Sequence, residues 1–499
     1  MDWLVPLAAI FMCCNAFGVG ANDVANAWGT SVASGAIKLR KACLIAGFAN
    51  ILGAVTLGYG VSDAIQKGVA DIEDPECWAC GYCNSRMSLY AVGMFGALVG
   101  SSVFLLLATF SSAPVSGTHA IVGGVVGMTL AGTSGACLDW SIGGLGGIAL
   151  SWVLSPVVAG FIGAGLYVFT DKFIMRATDP RTRSLTFMPI FVALSCFIIV
   201  FLVLLKSKVT KDALPVYGHF FLGVVAGIIG YFGGWFWRDK YVVSSLPSQT
   251  RKELNDHHVV EMDSKAQFNQ DEVGAVGSVS GVNEEEIIEE IQKQDSEHPA
   301  QQEQHVKTEP NQNKDQTRVK DVEDPSREDA VYVFKYLIVF NAALESFAHG
   351  SNDTGNATAP FSAVFNTVNE GIHSCKAAET PEWVLFVAGC CVALGVNTFG
   401  YRVMRTVGEK ITVVNFHKGF CMEFASTAAV VIATLLRFPV STTHCQIGAV
   451  MAVGLVSVGY KNVSFGVLGQ IVLSWIITLP FAGLFAAMML AIIQTGIER

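Results

Sequence analysis

The stretch Gly20-Ala21-Asn22-Asp23-Val24-Ala25-Asn26-Ala27 recurs in the second half of the chain as Gly350-Ser351-Asn352-Asp353-Thr354-Gly355-Asn356-Ala357. Its two asparagines and its aspartate return 330 positions later, as Asn352, Asp353 and Asn356. Two more pairs follow in the same order: Pro-Val-Ser-Gly-Thr-His at 114–119 with Pro-Val-Ser-Thr-Thr-His at 439–444, and Leu-Ser-Trp at 150–152 with 473–475. Three matched pairs at a nearly constant shift predict an internal duplication.

The composition is that of a membrane protein. Of the 499 residues, 52% are hydrophobic and 15% are charged, against about 25% charged in a soluble domain. Apolar runs of about 20 residues, enough to cross a bilayer as helices, recur in both halves. This pattern predicts an all-α polytopic membrane protein in contact with lipid, without a nucleic-acid partner, and it excludes a soluble enzyme.

About twelve spans are predicted, seven before and five after a hydrophilic segment. They are Trp3–Phe17, Cys43–Tyr59, Leu89–Phe110, Ala113–Ala131, Ile142–Phe169, Phe187–Leu205, Tyr217–Trp237, Val331–His349, Trp383–Val403, Gly419–Leu436, Val440–Val458 and Val467–Ile493. Because seven spans come first, the eighth crosses in the sense opposite to the first. Spans one to five and eight to twelve therefore form two inverted repeats, a plan of secondary transporters whose sites lie at broken or re-entrant helices.

Four regions follow from this plan. Residues 1–170 form the first repeat, 171–243 carry two inserted spans, 244–329 form a disordered acidic loop, and 330–499 form the second repeat. The loop is too polar to offset its chain entropy by burial. Gly18, Gly20, Gly29 and Gly35 predict that the first span breaks at the Asn-Asp motif.

Basic residues predict the orientation. Lys38, Arg40 and Lys41 follow the first span, and the positive-inside rule places them in the cytoplasm. Both termini are then outside and the loop at 244–329 is cytoplasmic, with the plasma membrane as the default location. The segment Cys77-x-x-Cys80-x-x-Cys83 then lies outside; it suits a metal site or, as we favour, an exterior disulfide with Cys137 or Cys375.

The two aspartates of the duplicated motif predict a cation site. A carboxylate at membrane depth costs about 2.5–3.5 kcal/mol, and with no basic residue recognised nearby, a bound cation is the simplest partner. Asn22, Asn26, Asn352 and Asn356 offer carbonyl oxygens beside Asp23 and Asp353. The alternative is that these residues cap broken helices.

The second duplicated motif predicts an anion site. Ser116, Thr118, Ser441, Thr442 and Thr443 supply hydroxyl groups, and a helix beginning there would present free N–H groups to an anion such as phosphate. Ordinary Ser/Thr capping is the alternative. His119 and His444 would orient the turns, gate the site or exchange protons.

These motifs resemble the PiT inorganic phosphate transporters, over both membrane halves but not the central loop. The resemblance implies sodium- or proton-coupled phosphate symport by alternating access, as a homodimer without a cofactor. It implies a sodium site at Asn22, Asp23, Asn352, Asp353 and Glu423, the last an acid inside an apolar span. It also implies a phosphate site at Ser116, Gly117, Thr118, Ser441, Thr442 and Thr443 with Asn26 and Asn356.

The chain departs from the family pattern at two positions. Asn50 and Met94 stand where animal members are expected to have Glu, so the coupling ion stays open. Sodium-coupled phosphate symport is the main hypothesis and proton coupling the alternative. A phosphate receptor, an intramembrane enzyme and an anion channel are weaker, because the chain has no His-Glu-x-x-His or serine-nucleophile motif and a channel gives no role to the paired acids.

Overall fold

The described part of the chain folds into twelve principal helices. The computed structural model describes residues 2–58, 65–66, 68–80, 82–206, 210, 213–249, 324–370, 380–435 and 440–497. The helices are α1 Leu4–Ala33, α2 Leu39–Leu57, α3 Met87–Phe110, α4 Gly117–Gly132, α5 Leu145–Thr170, α6 Pro180–Lys206, α7 Val216–Trp237, α8 Pro325–Glu370, α9 Glu382–Arg405, α10 Phe416–Leu435, α11 Thr442–Val458 and α12 Phe465–Ile497.

Each predicted span coincides with one of these helices, which confirms the all-α membrane fold. Among the described residues, nine helices are long and apolar enough to cross a bilayer, and α4 and α11 are shorter apolar helices. Helices are favoured because hydrocarbon offers the backbone no hydrogen-bond partner. No β-strand is formed by the described residues, whose one isolated bridge joins Ala70 to Leu138.

The predicted break at the Asn-Asp motif is wrong. Helix α1 runs without interruption through Gly18, Gly20 and Gly29, and ends at Ala33 before Gly35, whose φ is +80°. Helix α8 continues through the second copy of the motif in the same way. The glycines inside these helices serve close packing rather than a break.

The breaks fall at the other duplicated motif. A turn at residues 111–116 separates α3 from α4, and α11 likewise begins just after Ser441. Ser116 and Ser441 are both buried, so α4 and α11 start inside the protein. Pro439 of the second turn lies outside the described residues.

The two repeats interlock through glycine contacts that occur in matched pairs. At the crossings of α1 with α9 and of α8 with α2, a Cβ on a glycine would lie 2.0–2.1 Å from a backbone oxygen of the facing helix: Gly20 against Val392, Gly350 against Asn50, Gly395 against Phe17, and Gly53 against Phe347. The crossings of α4 with α12 and of α11 with α5 repeat the pattern, with Gly123 against Leu479 and Gly448 against Pro156. Each repeat therefore packs chiefly on the other.

The ends of the predicted disordered loop are ordered. Asp329, which is 1% exposed, accepts hydrogen bonds from Ser248, including its backbone N–H at 3.0 Å, and its carboxylate lies 3.6 Å from Arg181 Nε. Residues 244–249 and 324–329 are thus held together against the start of α6, although their polar composition predicts disorder. The rest of the loop, residues 250–323, lies outside the described residues.

A disulfide joins Cys77 to Cys137 and fastens the segment before α3 to the segment after α4. Cys80 is disulfide-bonded as well, whereas Cys83 is a free, exposed thiol. The prediction of a disulfide with Cys137 is confirmed, and the metal site at these three cysteines is wrong because two of them carry disulfides. Cys375 lies outside the described residues.

Candidate functional site

The two duplicated motifs meet in the centre of the bundle, each contacting the motif of the other repeat. Asn26 Nδ2 on α1 donates to Thr443 Oγ1 at the start of α11, at 2.9 Å. Asn356 Nδ2 on α8 donates to Thr118 Oγ1 at the start of α4, at 3.3 Å. These contacts are equivalent under the duplication, so the site is built symmetrically from both repeats.

Asp23 and Asp353 both face the first turn of α11. Thr443 Oγ1 donates to Asp23 Oδ1 at 3.3 Å, and Thr442 Oγ1 donates to Asp353 Oδ2 at 3.4 Å. The two aspartates are 2% and 5% exposed and lie within electrostatic range of each other. Two like charges this deeply buried require compensation.

Part of that compensation comes from His349, which sequence reasoning missed. His349 Nδ1 lies 2.7 Å from Asp353 Oδ2, and its Nε2 lies 3.1 Å from Thr442 Oγ1. The inference that no basic residue stands near the aspartates is therefore wrong for Asp353. The signal was a histidine four residues before an aspartate, which are neighbours on a helix, but the motif had been expected to break the helix. The first repeat has Val19 at this position.

Asn22 fixes the turn before α4. Its Oδ1 accepts from the backbone N–H of Val115 at 2.9 Å, and its Nδ2 donates to the Ala113 carbonyl at 3.0 Å. Asn352, its counterpart, is half-buried and lines a small cavity with His349 and Thr442. The amide oxygen of Asn22 is thus already occupied by a hydrogen bond from the backbone.

The second asparagine of each motif offers an unused oxygen. Asn26 Oδ1 and Asn356 Oδ1 are buried and have no hydrogen-bond partner within the described part of the chain. Both amides use their nitrogen on the opposite repeat, which leaves the oxygen beside the aspartates. A carbonyl oxygen without a donor is well suited to a hard cation.

Two helix N-termini point into the same region. Ser116 Oγ and Ser441 Oγ accept from the backbone N–H groups of His119 and His444, at 3.3 and 3.4 Å, so both serines are N-caps. The first N–H groups of α4 and α11 have no acceptor within their own helices. At Gly117, a Cβ would lie 3.4 Å from both Asp23 Oδ2 and Asn356 Nδ2, which places this N-terminus against the aspartate site.

His119 and His444 lie side by side, one turn beyond the caps. Their ring centroids are 4.4 Å apart, and each ring packs on a tryptophan: His119 on Trp152 at 4.2 Å and His444 on Trp475 at 3.7 Å. His444 Nδ1 also lies 3.0 Å from the Trp152 carbonyl. These contacts hold α4 and α11 together, in keeping with an orienting role.

Glu423 is not brought to the aspartates. It is fully buried on α10, where Thr30 of α1 donates to it and Glu345 of α8 contacts it. Sequence reasoning missed Glu345. Glu345 lies two turns before Asp353 on the same helix, and this spacing would have indicated it. The predicted break at the motif hid the relation.

Buried carboxylates and free amide oxygens suit cations, whereas adjoining helix N-termini with hydroxyl groups suit an anion. A polar site of this kind between two interlocked membrane repeats is typical of membrane transporters. The model of the phosphate transporter family PHO4 matches residues 19–486. The chain therefore belongs to the phosphate transporter family and is a phosphate transporter.

Relatives and a solved structure agree with this assignment. The phosphate-repressible phosphate permease of Neurospora crassa is 28% identical, over 99% of this chain and 97% of its own. The sodium-dependent phosphate transporter 2 of Felis catus is 25% identical, over 99% of this chain and 98% of its own. A solved structure described as the sodium-dependent phosphate transporter matches with a TM-score of 0.75 at 28% identity, covering 99% of this chain and 100% of the other.

Proposed function

We propose that the chain couples the uptake of inorganic phosphate to sodium, by alternating access between the two repeats. The observation that carries this proposal is the pair of unpartnered amide oxygens, Asn26 Oδ1 and Asn356 Oδ1, held beside two buried aspartates and two helix N-termini. Similarity to transporters described as sodium-dependent supports sodium as the coupling ion.

Sodium binds to oxygen atoms from both repeats in this proposal. The ligands are carboxylate oxygens of Asp23 and Asp353 with the amide oxygens of Asn26 and Asn356. We propose sodium rather than phosphate as the ligand of the amide oxygens of Asn26 and Asn356, because an amide oxygen has no proton to donate to an anion. Asn22 leaves the sodium set, since its oxygen already accepts from Val115.

Phosphate binds at the starts of α4 and α11. Its oxygens accept from the first backbone N–H groups of these helices, at Gly117 and Thr118 and at Thr442 and Thr443. Thr118, Thr442 and Thr443 add hydroxyl groups, while Ser116 and Ser441 keep the helix ends capped. Sodium bound at the aspartates offsets their repulsion of the phosphate, which gives a physical reason for coupling.

Alternating access moves the two repeats relative to each other around this site. Each hydrogen bond from Asn26 or Asn356 crosses between repeats, so the contacts that bind the ions also join the moving parts. Inward movement of net positive charge would gain about 2.3 kcal/mol per charge per 100 mV.

The orientation belongs to the same proposal. Both termini face outside and the loop faces the cytoplasm, so that Cys77 and Cys137 lie in an oxidising compartment, where disulfides persist. The homodimer and the plasma membrane stay predictions.

Uptake of radiolabelled phosphate into proteoliposomes tests the coupling ion. The purified chain is given an inward sodium gradient at equal pH, and separately a pH gradient without sodium. The proposal predicts concentrative uptake under the sodium gradient. Uptake under the pH gradient alone would replace sodium by the proton, and no uptake from folded protein would overturn coupled transport.

A further inference from the structure

A second buried acidic site lies two turns along α8 from Asp353, roughly 12 Å away. Its members are Glu345 on α8 and Glu423 on α10, which are 2% and 0% exposed. The central site does not include them.

The two carboxyl groups lie within electrostatic range of each other. Ser426 also donates to Glu345 Oε1 at 2.9 Å, and Thr30 donates to Glu423 Oε1. The other oxygens, Oε2 of both residues, are buried without a donor from the described part of the chain. Two ionised carboxylates this close and this deeply buried would repel each other, which favours the protonated form of one of them.

The duplication shows that this site is particular to the second repeat. The counterpart of Glu345 in the first repeat is Asn15. Asn15 bonds Ser101 at 2.8 Å and Glu345 bonds Ser426, although the donor is Asn15 in the first pair and Ser426 in the second. Ser101 and Ser426 are themselves counterparts, 325 positions apart. The same position is thus filled by a neutral amide in one repeat and by an acid in the other, so the fold does not require a carboxyl there.

A cavity of about 10 Å³ lies between Glu345 and the central site, lined by Glu345, His349, Thr427 and Thr442 among others. This volume is close to the minimum that one water molecule needs. It suits a proton passed through a single water molecule better than a larger hydrated ion. The cavity extends from Glu345 to Thr442 in the first turn of α11.

Several titratable groups face the pair. His349 lies one turn along α8 from Glu345, and the Cys445 thiol faces Glu345 from α11. His349 in turn faces Asp353 and Asp23. On the α1 side the facing group is the uncharged hydroxyl of Thr30.

We propose that Glu345 and Glu423 form a proton-binding site, and that one proton bound there is carried with phosphate and sodium in each transport cycle. This inference rests on the proposed function and extends it. The proton is held as the O–H of one carboxyl and donated to the other, and its release leaves one additional carboxylate at the pair.

The test adds an inward proton gradient to a fixed sodium gradient in proteoliposomes and compares wild type with Glu345→Gln. For each proton carried, one pH unit raises phosphate accumulation about tenfold in wild type. Glu345→Gln is expected to lose this response and to keep sodium-driven uptake. Glu382→Gln, which removes an exposed glutamate at the start of α9, is the matched control and should keep both.

A second variant and a second measurement keep the inference testable if Glu345→Gln misfolds. Glu345→Asn copies Asn15 of the first repeat and should also lose the response. Infrared difference spectra should show a protonated carboxyl band in wild type that both variants lack. This band does not depend on transport, so it still decides whether the pair holds a proton if wild type fails to take up phosphate.

Three results would overturn the inference. The first is an unchanged pH response in folded Glu345→Gln. The second is loss of the sodium response instead, which would make the pair a sodium site. The third is a protonated band with no pH response in wild type, which would make the proton purely structural. Absence of any wild-type uptake would defeat the proposed function separately.

Discussion

The hydroxyl group of Thr443 contacts three residues at the central site. Its Oγ1 lies 2.9 Å from Asn26 Nδ2, 3.3 Å from Asp23 Oδ1 and 3.2 Å from the Val115 carbonyl. It therefore links the two repeats at one atom. Its counterpart Thr118 has the single contact with Asn356 described above.

Thr443→Val keeps the shape of the side chain and removes these hydrogen bonds. A hydrogen bond to a charged group is worth about 1.5–3 kcal/mol, so phosphate uptake at limiting substrate should fall about tenfold or more. Thr129→Val is the control, because the buried Thr129 hydroxyl bonds only the Val125 carbonyl of its own helix within the described part of the chain. Equal uptake by the two variants would contradict the role given to Thr443.

At this scale the sequence predicted which residues meet, but not which atoms they use. The duplicated motifs identified Asp23, Asp353 and the asparagines. Asn22 and Asn26 look alike in sequence, but their amide oxygens differ. Asn22 Oδ1 accepts a hydrogen bond from Val115, whereas Asn26 Oδ1 has no partner among the described residues. That difference depends on where the turn before α4 lies in the folded protein, which the local sequence pattern does not show.

Helix packing explains the glycines of the duplicated motif. Gly20 and Gly350 allow α1 and α8 to approach the backbones of α9 and α2, and their equivalence extends the duplication to the packing. Composition alone suggested breaks at these glycines, because glycine lowers helix propensity. Close approach to another helix decides the outcome instead.

Gly20→Ala tests this packing. The added Cβ would lie 2.1 Å from the Val392 carbonyl oxygen, so α1 and α9 must separate. Overpacking of this kind costs about 1–3 kcal/mol or more, and the thermal unfolding temperature in detergent should fall. Gly233→Ala on α7 is the control, because no atom of the described residues lies within 4 Å of its added Cβ; there alanine should be neutral or stabilising. A Gly20→Ala protein as stable as wild type would contradict the close crossing.

The missed members of the site share one cause at the scale of the element. Glu345, His349 and Asp353 are spaced four apart on one continuous helix and so lie along one face. The break predicted at the motif separates His349 and Glu345 from Asp353. The spans themselves were predictable because long apolar runs leave few alternatives in a bilayer.

The orientation of the whole molecule can be tested at a single thiol. Cys83 is free and exposed beside two disulfide-bonded cysteines. With the amino terminus outside, a membrane-impermeant maleimide should label Cys83 on intact cells, and Cys83→Ser should abolish that labelling. Labelling that appears only after the membrane is opened would reverse the proposed orientation.

The two repeats differ in charge although they share a packing plan. The second repeat carries His349 and Glu345, where the first has Val19 and Asn15. The cation and phosphate sites proposed here use both repeats, whereas the proton site uses the second repeat together with Thr30 of the first. A duplicated scaffold has thus acquired a local asymmetry that bears on coupling.

The central claim is that Asp23 and Asp353 bind the coupling sodium, and sodium-driven phosphate uptake by their asparagine variants tests it most directly. Asp23→Asn and Asp353→Asn keep the shape of each side chain and remove its charge, so each should abolish uptake in proteoliposomes while the protein stays folded. Asp239→Asn removes an exposed carboxylate after α7 and should transport as wild type does. Wild-type uptake by either central variant would contradict the account.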